Sequence, residues 1–391
     1  MSELLNGRWA ETKEALLEGL QGTKKSVMGV TLENTRKYLM ESPTAGATSA
    51  GNVATLNRVI LPVIRRVMPT VIANELVGVQ PMTGPVGQIH TLRVRYSDSA
   101  TGVVAGEEAL SPFKIAAGYS GNDADPGSKA TSTATLEGAA GKRMSIQILK
   151  QTVEAKTRKL SARWTFEAAQ DAQAQQGIDI EAEVMAALAQ EITAEIDQEI
   201  LGSLASLAGS ATETYDQANV SGTATFVGDE HAALAVQINR VSNLIAQRTR
   251  RGAGNWAVVS PFALTILQSA TTSAFARTTE GTFEAPTNTK FVGTLNSAMK
   301  IYVNTYASDN TDILIGYKGS SESDAAAFYC PYIPLMSSGV VLDPSTFEPV
   351  VSFMTRYGYV ELSNTASSLG NAADYLGKVG LSTTYGNVKF S

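Results

Sequence analysis

Residues with the side chains most often used in catalysis are scarce in this chain of 391 residues. Its two histidines are His90 and His231, and its single cysteine is Cys330. No HExxH spacing accompanies either histidine, which argues against a zinc site. No motif beside Cys330 supplies the base that a cysteine nucleophile needs. We therefore expect structural roles for all three residues.

The segment GNDADPGSK has the composition of a ligand-binding loop without the spacing of one. Gly121, Gly127 and Lys129 are wrongly spaced for a phosphate-binding loop. Asp123 and Asp125 lack the third ligand and the later glutamate of a calcium loop. The GxSxG motif is also absent. The sequence therefore predicts no catalytic, cofactor-binding or metal-binding residues, and an α/β enzyme is a disfavoured alternative.

Composition favours a large subunit that buries much of its exterior against copies of itself. Charged residues make up 17% of the chain, below the usual quarter, and the formal net charge is −6. Net negative charge argues against nucleic-acid binding through a basic field, and a single cysteine excludes an internal disulfide. No membrane span and no secretory signal are predicted. An ordinary polar, uncharged surface is the alternative that composition leaves open.

Charge is distributed in two blocks. Seven basic residues and one acid, Glu154, lie between Lys142 and Arg163, and no further Lys or Arg occurs before Arg240, although acids recur. We expect complementary strips that meet between subunits and set their register. The alternatives are strips that meet within one subunit and an acidic helix face in water. The candidate intersubunit contacts are Lys150, Lys156, Arg158, Lys159, Glu195 and Glu199.

Residues 178–207 predict the longest helix. Apolar residues recur every four positions from Ile180 to Leu204, so each step turns the apolar stripe by about 40° around the helix. Such a helix contacts different neighbours along its length, as a central spine does. From residue 230 the pattern becomes α/β. Helices are predicted at 232–251 and 262–269, and strands at 255–260, 300–304, 312–317 and 347–360.

Residues 97–140 have the least capacity of any long segment to form a core. They are rich in Gly, Ser, Thr, Ala and Asp, and strand-like segments flank them. An excursion of this length predicts a protruding hairpin that packs on something outside its own subunit. Phe113 and Tyr119 are among its few large apolar residues and are candidate intersubunit contacts.

Three long segments carry a resemblance to a known family. The first, 61–96, passes from a helix containing Pro62 and Pro69 through the turn VGVQPMTGPVGQ to a basic strand. The others are 158–200 and 330–362. In this order, over a little more than a quarter of the chain, they resemble the major capsid proteins of T-even-type tailed phages. The resemblance implies an α+β chain with the Hong Kong 97-type shell fold shared by tailed phages and herpesviruses.

The resemblance also implies a division of the chain. The implied parts are an N-terminal arm or removable leader at 1–56, the helix and strand that open a peripheral domain at 57–96, an extended loop at 97–142 that reaches over a neighbouring subunit, the peripheral domain with the long spine helix at 143–228, an apical α/β domain at 229–335, and a returning peripheral strand with the C-terminal tail at 336–391.

The function implied by the resemblance is that of a major capsid protein of a tailed double-stranded DNA phage. Copies are expected to assemble in the host cytoplasm as hexamers, with pentamers left open, into the icosahedral head of the virion, which encloses DNA without sequence-specific binding. The implied partners are further copies of the chain, scaffold, prohead protease, portal and decoration proteins. A capsid vertex paralogue and an encapsulin-type compartment protein are the alternatives with the same fold.

Removal of the N-terminal segment after Glu41 is a testable expectation. Proteases of the resembling family cut after a Glu that has Leu or Ile two residues earlier. LME, ending at Glu41, fits and precedes the flexible stretch SPTAGATSAG, whereas LLE, ending at Glu18, falls within a predicted helix. Intact-mass measurement of mature particles is expected to give a chain beginning at Ser42. A chain that keeps Met1 or Ser2 would contradict it.

Overall fold

In a computed structural model of the chain, the described residues are 9, 13–14, 17, 22–41, 72–100, 103–107, 109, 119–121, 130, 132–137, 141–176, 179–216, 227–270, 275–277, 289–308, 311–321, 324–346, 348–362 and 372–381. None of the helices in these ranges is long and apolar enough to cross a membrane. Helices and strands are mixed along the chain, so the predicted α+β class is confirmed.

The elements are numbered in chain order. The helices are α1 (Gly22–Glu41), α2 (Ala73–Leu76), α3 (Thr133–Leu136), α4 (Phe166–Gln176), α5 (Ile180–Leu207), α6 (Val227–Thr249) and α7 (Pro261–Ser269), with a 3₁₀ turn at Ala372–Tyr375. The strands are β1 (Gly78–Val79), β2 (Val86–Tyr96), β3 (Met144–Glu154), β4 (Lys156–Arg163), β5 (Glu213–Tyr215), β6 (Trp256–Val259), β7 (Phe275–Arg277), β8 (Thr289–Leu295), β9 (Met299–Asn304), β10 (Ile313–Gly316), β11 (Ala327–Ser337), β12 (Val341–Leu342), β13 (Pro349–Glu361) and β14 (Leu376–Leu381).

The long helix α5 lies between two sheets. It begins where Asp179 accepts a hydrogen bond from the Glu181 amide (3.0 Å), and acidic residues in its first turn suit the positive end of a helix. Leu188, Ile192 and Leu204 are among its buried residues, and the helix contacts β4, β13 and β14. The predicted spine helix at 178–207 is therefore present with nearly the expected bounds.

One sheet has five strands, with the order β1-β11-β13-β12 and with β4 also paired to β13, along Val350–Tyr357. Along β13 buried and half-buried residues alternate, as expected when one face of a sheet packs on a core and the other does not. Val351, Phe353 and Tyr357 on the buried face join the same apolar core as α5. The strand predicted at 347–360 is this one.

The second sheet has seven strands in the order β5-β14-β10-β6-β9-β8-β7. Trp256, Tyr302 and Leu314 of its one face share the core of α5, whereas Ala257 and Ile301 of the other face pack in the core of α6 and α7. Burial on both faces explains why these strands are almost continuously apolar in sequence. The predicted strands at 255–260, 300–304 and 312–317 and the two helices beside them are all present.

Sheet membership differs from the predicted division of the chain. The seven-stranded sheet takes β5 from before residue 229 and β14 from after residue 336, while β11 inside 229–335 belongs mainly to the five-stranded sheet. Local pattern does not determine which partner a short strand finds. β14 fits because Gly377 lies against Val241 of α6, where a Cβ atom would collide with the valine side chain.

The N-terminal helix α1 packs on the body of the subunit. Val27, Met28 and Leu32 are buried in the core shared with α5 and β11, and the Asn34 side-chain amide donates to the carbonyl oxygens of Met82 (2.7 Å) and Tyr332 (3.0 Å). The zone was expected to be an arm or a removable leader, and within it these residues supply one apolar helix face to the core; the role of the zone in the shell stays a prediction. The cleavage expected after Glu41 would fall at the last residue of α1, and Ser42 lies outside the described residues.

The segment predicted to open the folded domain is described only in part. Of the helix predicted near 61–76, the described residues include only α2, and the positions of Pro62 and Pro69 lie outside them. Within the described residues, β2 and β3 pair only with each other, as an antiparallel ribbon separate from both sheets. The two strands of this ribbon, Val86–Tyr96 and Met144–Glu154, flank the loop predicted at 97–142, whose bounds and role stay a prediction.

Candidate functional site

The β2–β3 ribbon presents an apolar surface to solvent. Its eleven pairs run from Val86 opposite Glu154 to Tyr96 opposite Met144, and cross-strand partners share a face. Met144, Ile146 and Ile148 therefore lie on one face, with side chains 52%, 68% and 66% exposed. Lys150, also exposed, continues the same alternation. We call Met144, Ile146, Ile148 and Lys150 the ribbon face.

The ribbon is anchored at the end nearest the five-stranded sheet. Val153 is buried in a small cluster with Met82, Phe328 and Cys330. Gly358 of β13 lies beside Val153, and a Cβ atom there would collide with the valine side chain, so glycine permits the close approach of the two strands. The other end, which carries the ribbon face, has no such support from either sheet within the described residues.

Tyr119 closes the free end of the ribbon within its own subunit. Its ring lies 4.6 Å from the ring of Tyr96, centroid to centroid, and its hydroxyl donates to the Arg143 carbonyl oxygen at 2.5 Å. Tyr119 is 6% exposed in a cluster with Val103 and Ala109. The end of β2 thus buries the ring of Tyr119 within the subunit, and its expected intersubunit contact stays a prediction. Phe113 lies outside the described residues.

Arg158 joins the two charge blocks inside one subunit. Its guanidinium donates to Glu195 (2.6 Å) and to Glu199 (2.5 Å), and its Nε donates to the Tyr357 hydroxyl (2.6 Å), which in turn donates to Glu199. These contacts match the intrasubunit alternative, and the intersubunit role expected for Arg158, Glu195 and Glu199 stays a prediction. The physical reason for the contacts is register: Arg158 lies opposite Thr355 on the sheet face that packs on α5, and the two glutamates lie one helical turn apart.

The protonation states of Arg158, Glu199 and Tyr357 favour these hydrogen bonds near neutral pH. Burial raises the pKa of the Glu199 carboxyl, but hydrogen bonds from Tyr357 and Arg158 outweigh it and hold that pKa below its ordinary value. Burial, followed by the hydrogen bond to Glu199, raises the pKa of Tyr357. Glu199 is thus ionised and Tyr357 protonated near neutral pH. All three kinds of guanidinium nitrogen in Arg158 are used, so β4, β13 and α5 are tied together.

The remaining basic candidates face solvent. Lys150, Lys156 and Lys159 are all exposed. Lys159 lies opposite Met354, on the face of the five-stranded sheet turned away from α5, whereas Lys150 belongs to the ribbon face. The intersubunit role expected for these three lysines stays a prediction.

The acidic block forms an exposed helical surface. In α4, every residue whose burial is described is exposed or half-buried, and the first turn of α5 is exposed as well. An isolated helix of this length is marginal in water, and within the subunit α4 contacts α5. No Lys or Arg occurs between Arg163 and Arg240. We call the exposed residues Glu167, Asp171, Glu181 and Glu183 the acidic helix surface.

The buried residues His231 and Cys330 are not arranged for catalysis. The Nδ1 atom of His231 lies 2.5 Å from the Ser269 hydroxyl oxygen, which also lies 3.0 Å from the Ile266 carbonyl oxygen. Burial lowers the pKa of His231 and raises the pKa of Cys330 to about 11. His90 lies on β2 opposite Lys150. In the described ranges no group of three His, Cys, Asp or Glu side chains could hold a metal ion.

A family model and curated relatives identify one family for this chain. The sequence model described as "Major capsid protein Gp23" matches residues 53–140 and 122–381. The major capsid protein of Vibrio phage KVP40 is 30% identical over 86% of this chain and 83% of that protein. The major capsid protein of Enterobacteria phage T4 is 29% identical over 80% of this chain and 76% of that protein. A solved structure from Microbacterium phage Oxtober96 aligns with a TM-score of 0.49 at 13% identity, over 79% of this chain and 90% of that one.

The Arg158 cluster predicts a stability effect that is separate from assembly. Arg158→Ala removes the shared donor and leaves two carboxylates one turn apart, so the free energy of unfolding is expected to fall by about 1–2 kcal/mol. The matched control Lys159→Ala changes an exposed lysine on the same strand and should shift it by less than about 0.5 kcal/mol. Urea denaturation of the purified subunit measures both. Equal stability of the two variants would show that the pairing observed within the subunit is not formed in solution.

Proposed function

We propose that this chain, which belongs to the Gp23 family of major capsid proteins, forms its shell by placing the ribbon face of one copy on the acidic helix surface of the next. The family model covers most of the chain. The chain is accordingly a structural protein of a tailed-phage capsid and not an enzyme, as predicted from its sequence. Membership carries with it the Hong Kong 97-type shell fold that the resemblance implied.

The first support for this contact is the incomplete burial of the ribbon. A two-stranded antiparallel hairpin is at best marginally stable alone in water. Within the described residues, the ribbon is anchored on the five-stranded sheet at its Val153 end, and it exposes Met144, Ile146 and Ile148 side by side at the other. Burying one such side chain contributes about 1.5–3 kcal/mol, which makes this surface the strongest apolar attraction that the described ribbon offers.

The second support is charge complementarity. Lys150 continues the ribbon face, and Lys142 and Arg143 lie just before β3, whereas the acidic helix surface lies in a stretch, 164–239, without any Lys or Arg. Attraction between exposed charges acts over about 8 Å at physiological ionic strength, so it sets orientation and register more than affinity. Phe166, 42% exposed at the start of α4, offers an apolar neighbour within that surface.

The third support is the geometry of repetition. A ribbon face that meets a different surface on the next copy is a heterologous contact, and such contacts close into rings when the rotation permits. Each contact can be weak, because a subunit held by several neighbours gains avidity. Copies of this chain form a homo-oligomeric shell; that the rings are hexamers, with pentamers at the vertices, is part of the proposal.

The finer roles expected from the sequence belong to the same proposal. They are an extended loop that lies over a neighbour, a peripheral lobe built on α5 and the five-stranded sheet, and an apical lobe built on the seven-stranded sheet. Assembly in the host cytoplasm with scaffold, prohead protease, portal and decoration proteins is supported by family membership alone. A vertex paralogue or an encapsulin-type shell is not favoured, since the relatives reported above are major capsid proteins.

The ribbon face yields a direct test. Ile146→Ser with Ile148→Ser is expected to abolish shells while leaving the melting temperature of the subunit within the range of surface variants. The matched control is Val236→Ser on α6, which is 67% exposed but lies outside the proposed contact. Sedimentation velocity and negative-stain microscopy measure assembly. Normal shells from the double variant, or loss of shells in the control, would contradict the proposed contact.

A further inference from the structure

The short helix α2 lies where the two sheets of the subunit are joined. β1 follows it and pairs with β11 of the five-stranded sheet. On the other side, Lys318, which follows β10, donates from its Nζ to the Asn74 carbonyl oxygen (2.9 Å), and the Nζ of Lys300 on β9 lies 3.6 Å from the Glu75 carboxylate. Residues 72–76 therefore contact both sheets at once.

Two consecutive residues of α5 hold this region from the inside. The Ile72 amide donates to the Asp197 carboxyl at 2.9 Å. Gln198 and Asn304, the last residue of β9, exchange side-chain amide hydrogen bonds of 2.9 and 3.2 Å. We call Asp197, Gln198, Asn304 and residues 72–76 the intersheet joint.

Asp197 is an unusual residue to find in such a joint. It is 2% exposed, and among the described residues the Ile72 amide is its hydrogen-bond partner while no cation forms an ion pair with it. Burial raises the pKa of the Asp197 carboxyl to about 7, and the Ile72 hydrogen bond opposes that shift only in part. A carboxyl in this position changes its charge near neutral pH without any change in its neighbours.

The other charged and titratable groups around Asp197 do not change their charge near neutral pH. Tyr329 of β11 is fully buried, and burial together with nearby charges raises its pKa well beyond neutral pH. On α5 itself, Glu199 is held by Arg158 and Tyr357, the tyrosine belonging to β13. On α2, Glu75 lies beside Lys300. Asp197 is thus the group of this region whose charge is set by the pH of the medium.

We propose that Asp197 makes the intersheet joint proton-controlled, so that the protonated carboxyl keeps it dry and packed and the ionised carboxyl admits water and loosens it. An ionised carboxylate in a dry interior requires more than one amide donor. When the segment at 72–79 separates from α5, water can hydrate the ionised Asp197 carboxylate. The two sheets then lose part of their mechanical connection. This inference concerns the subunit itself and goes beyond the proposed contact between copies.

The sign of the pH dependence follows from the two states. The packed joint binds the Asp197 proton more tightly than the opened joint, in which the carboxyl regains its ordinary pKa of about 3.9. Raising the pH therefore favours opening. Between pH 5 and pH 7 the opening equilibrium should rise roughly fiftyfold, and above the pKa of the packed state it should level off, because both states are then ionised.

Hydrogen exchange of the full-length subunit tests the proposal. The readout is the opening equilibrium of the peptide 72–79 between about pH 5 and 8.5, corrected for intrinsic exchange, with β6 as the internal reference. The native chain should show the rise and the plateau. Asp197→Asn, which keeps the acceptor for Ile72 but cannot ionise, should show a flat profile. Glu191→Gln, which removes an exposed acid from the same helix, should keep the native profile.

Two outcomes would overturn the proposal. One is a native chain whose peptide 72–79 opens equally at pH 5 and pH 7, a result that needs no variant and so remains decisive should Asp197→Asn fail to fold. The other is an Asp197→Asn subunit with the same pH dependence as the native chain. A rise shared equally by β6 would also count against it, because the whole subunit rather than the joint would then be opening.

Discussion

A ribbon of only two strands cannot bury both of its faces, and the rest of this subunit is arranged around that constraint. The β2–β3 ribbon leaves the five-stranded sheet at Val153 and carries its apolar side chains away from both sheets. Tyr119 packs on Tyr96 and so covers the far end from within. Within the described residues the surface between these two ends stays exposed, and in the proposed shell another copy of the chain covers it.

The body that carries the ribbon is held rigid by contacts that do not depend on a neighbour. Helix α5 shares one core with both sheets, and Arg158 ties it to β4 and β13 through Glu199 and Tyr357. One residue of the basic block is thereby used for folding, while Lys150 of the same block stays exposed on the surface. The same local sequence therefore serves two purposes, because strand alternation sends successive side chains to opposite faces.

Periodicity was sufficient to predict the elements whose burial is set locally. The spine helix α5, the strands β6, β9 and β10 and the helix α7 follow from repeats of apolar residues along the sequence. The apolar repeats did not predict which elements pair or pack with one another. The short, glycine-containing β14 joins the seven-stranded sheet through contacts distant in sequence, and α1 packs on β11 although its first turns are polar.

The same limit applied to the candidate site. The composition of the loop and the two charge blocks indicated the region, yet the face to which each side chain points was fixed only by register. Arg158 and Tyr119 were both expected to contact another subunit. Both form hydrogen bonds within their own subunit, because a neighbouring helix or strand lies within reach of their side chains. The exposed stripe of Met144, Ile146 and Ile148 was readable from strand alternation, but only once β3 was known to have no sheet beneath it. Asp197 gave no signal in the sequence, since an acid inside an amphipathic helix is ordinarily exposed.

The measurement that tests the central claim most directly is carbodiimide cross-linking in shells assembled from unlabelled and nitrogen-15-labelled copies. This reagent joins a lysine to a carboxylate in direct contact with it, and mass spectrometry then shows whether the two linked peptides come from one copy or two. The account predicts links from Lys150 to the acidic helix surface, at Glu167, Asp171, Glu181 or Glu183, in which the two peptides carry different isotopes. Links from Lys150 that always carry a single isotope, or that fall on other acids of the shell, would contradict it.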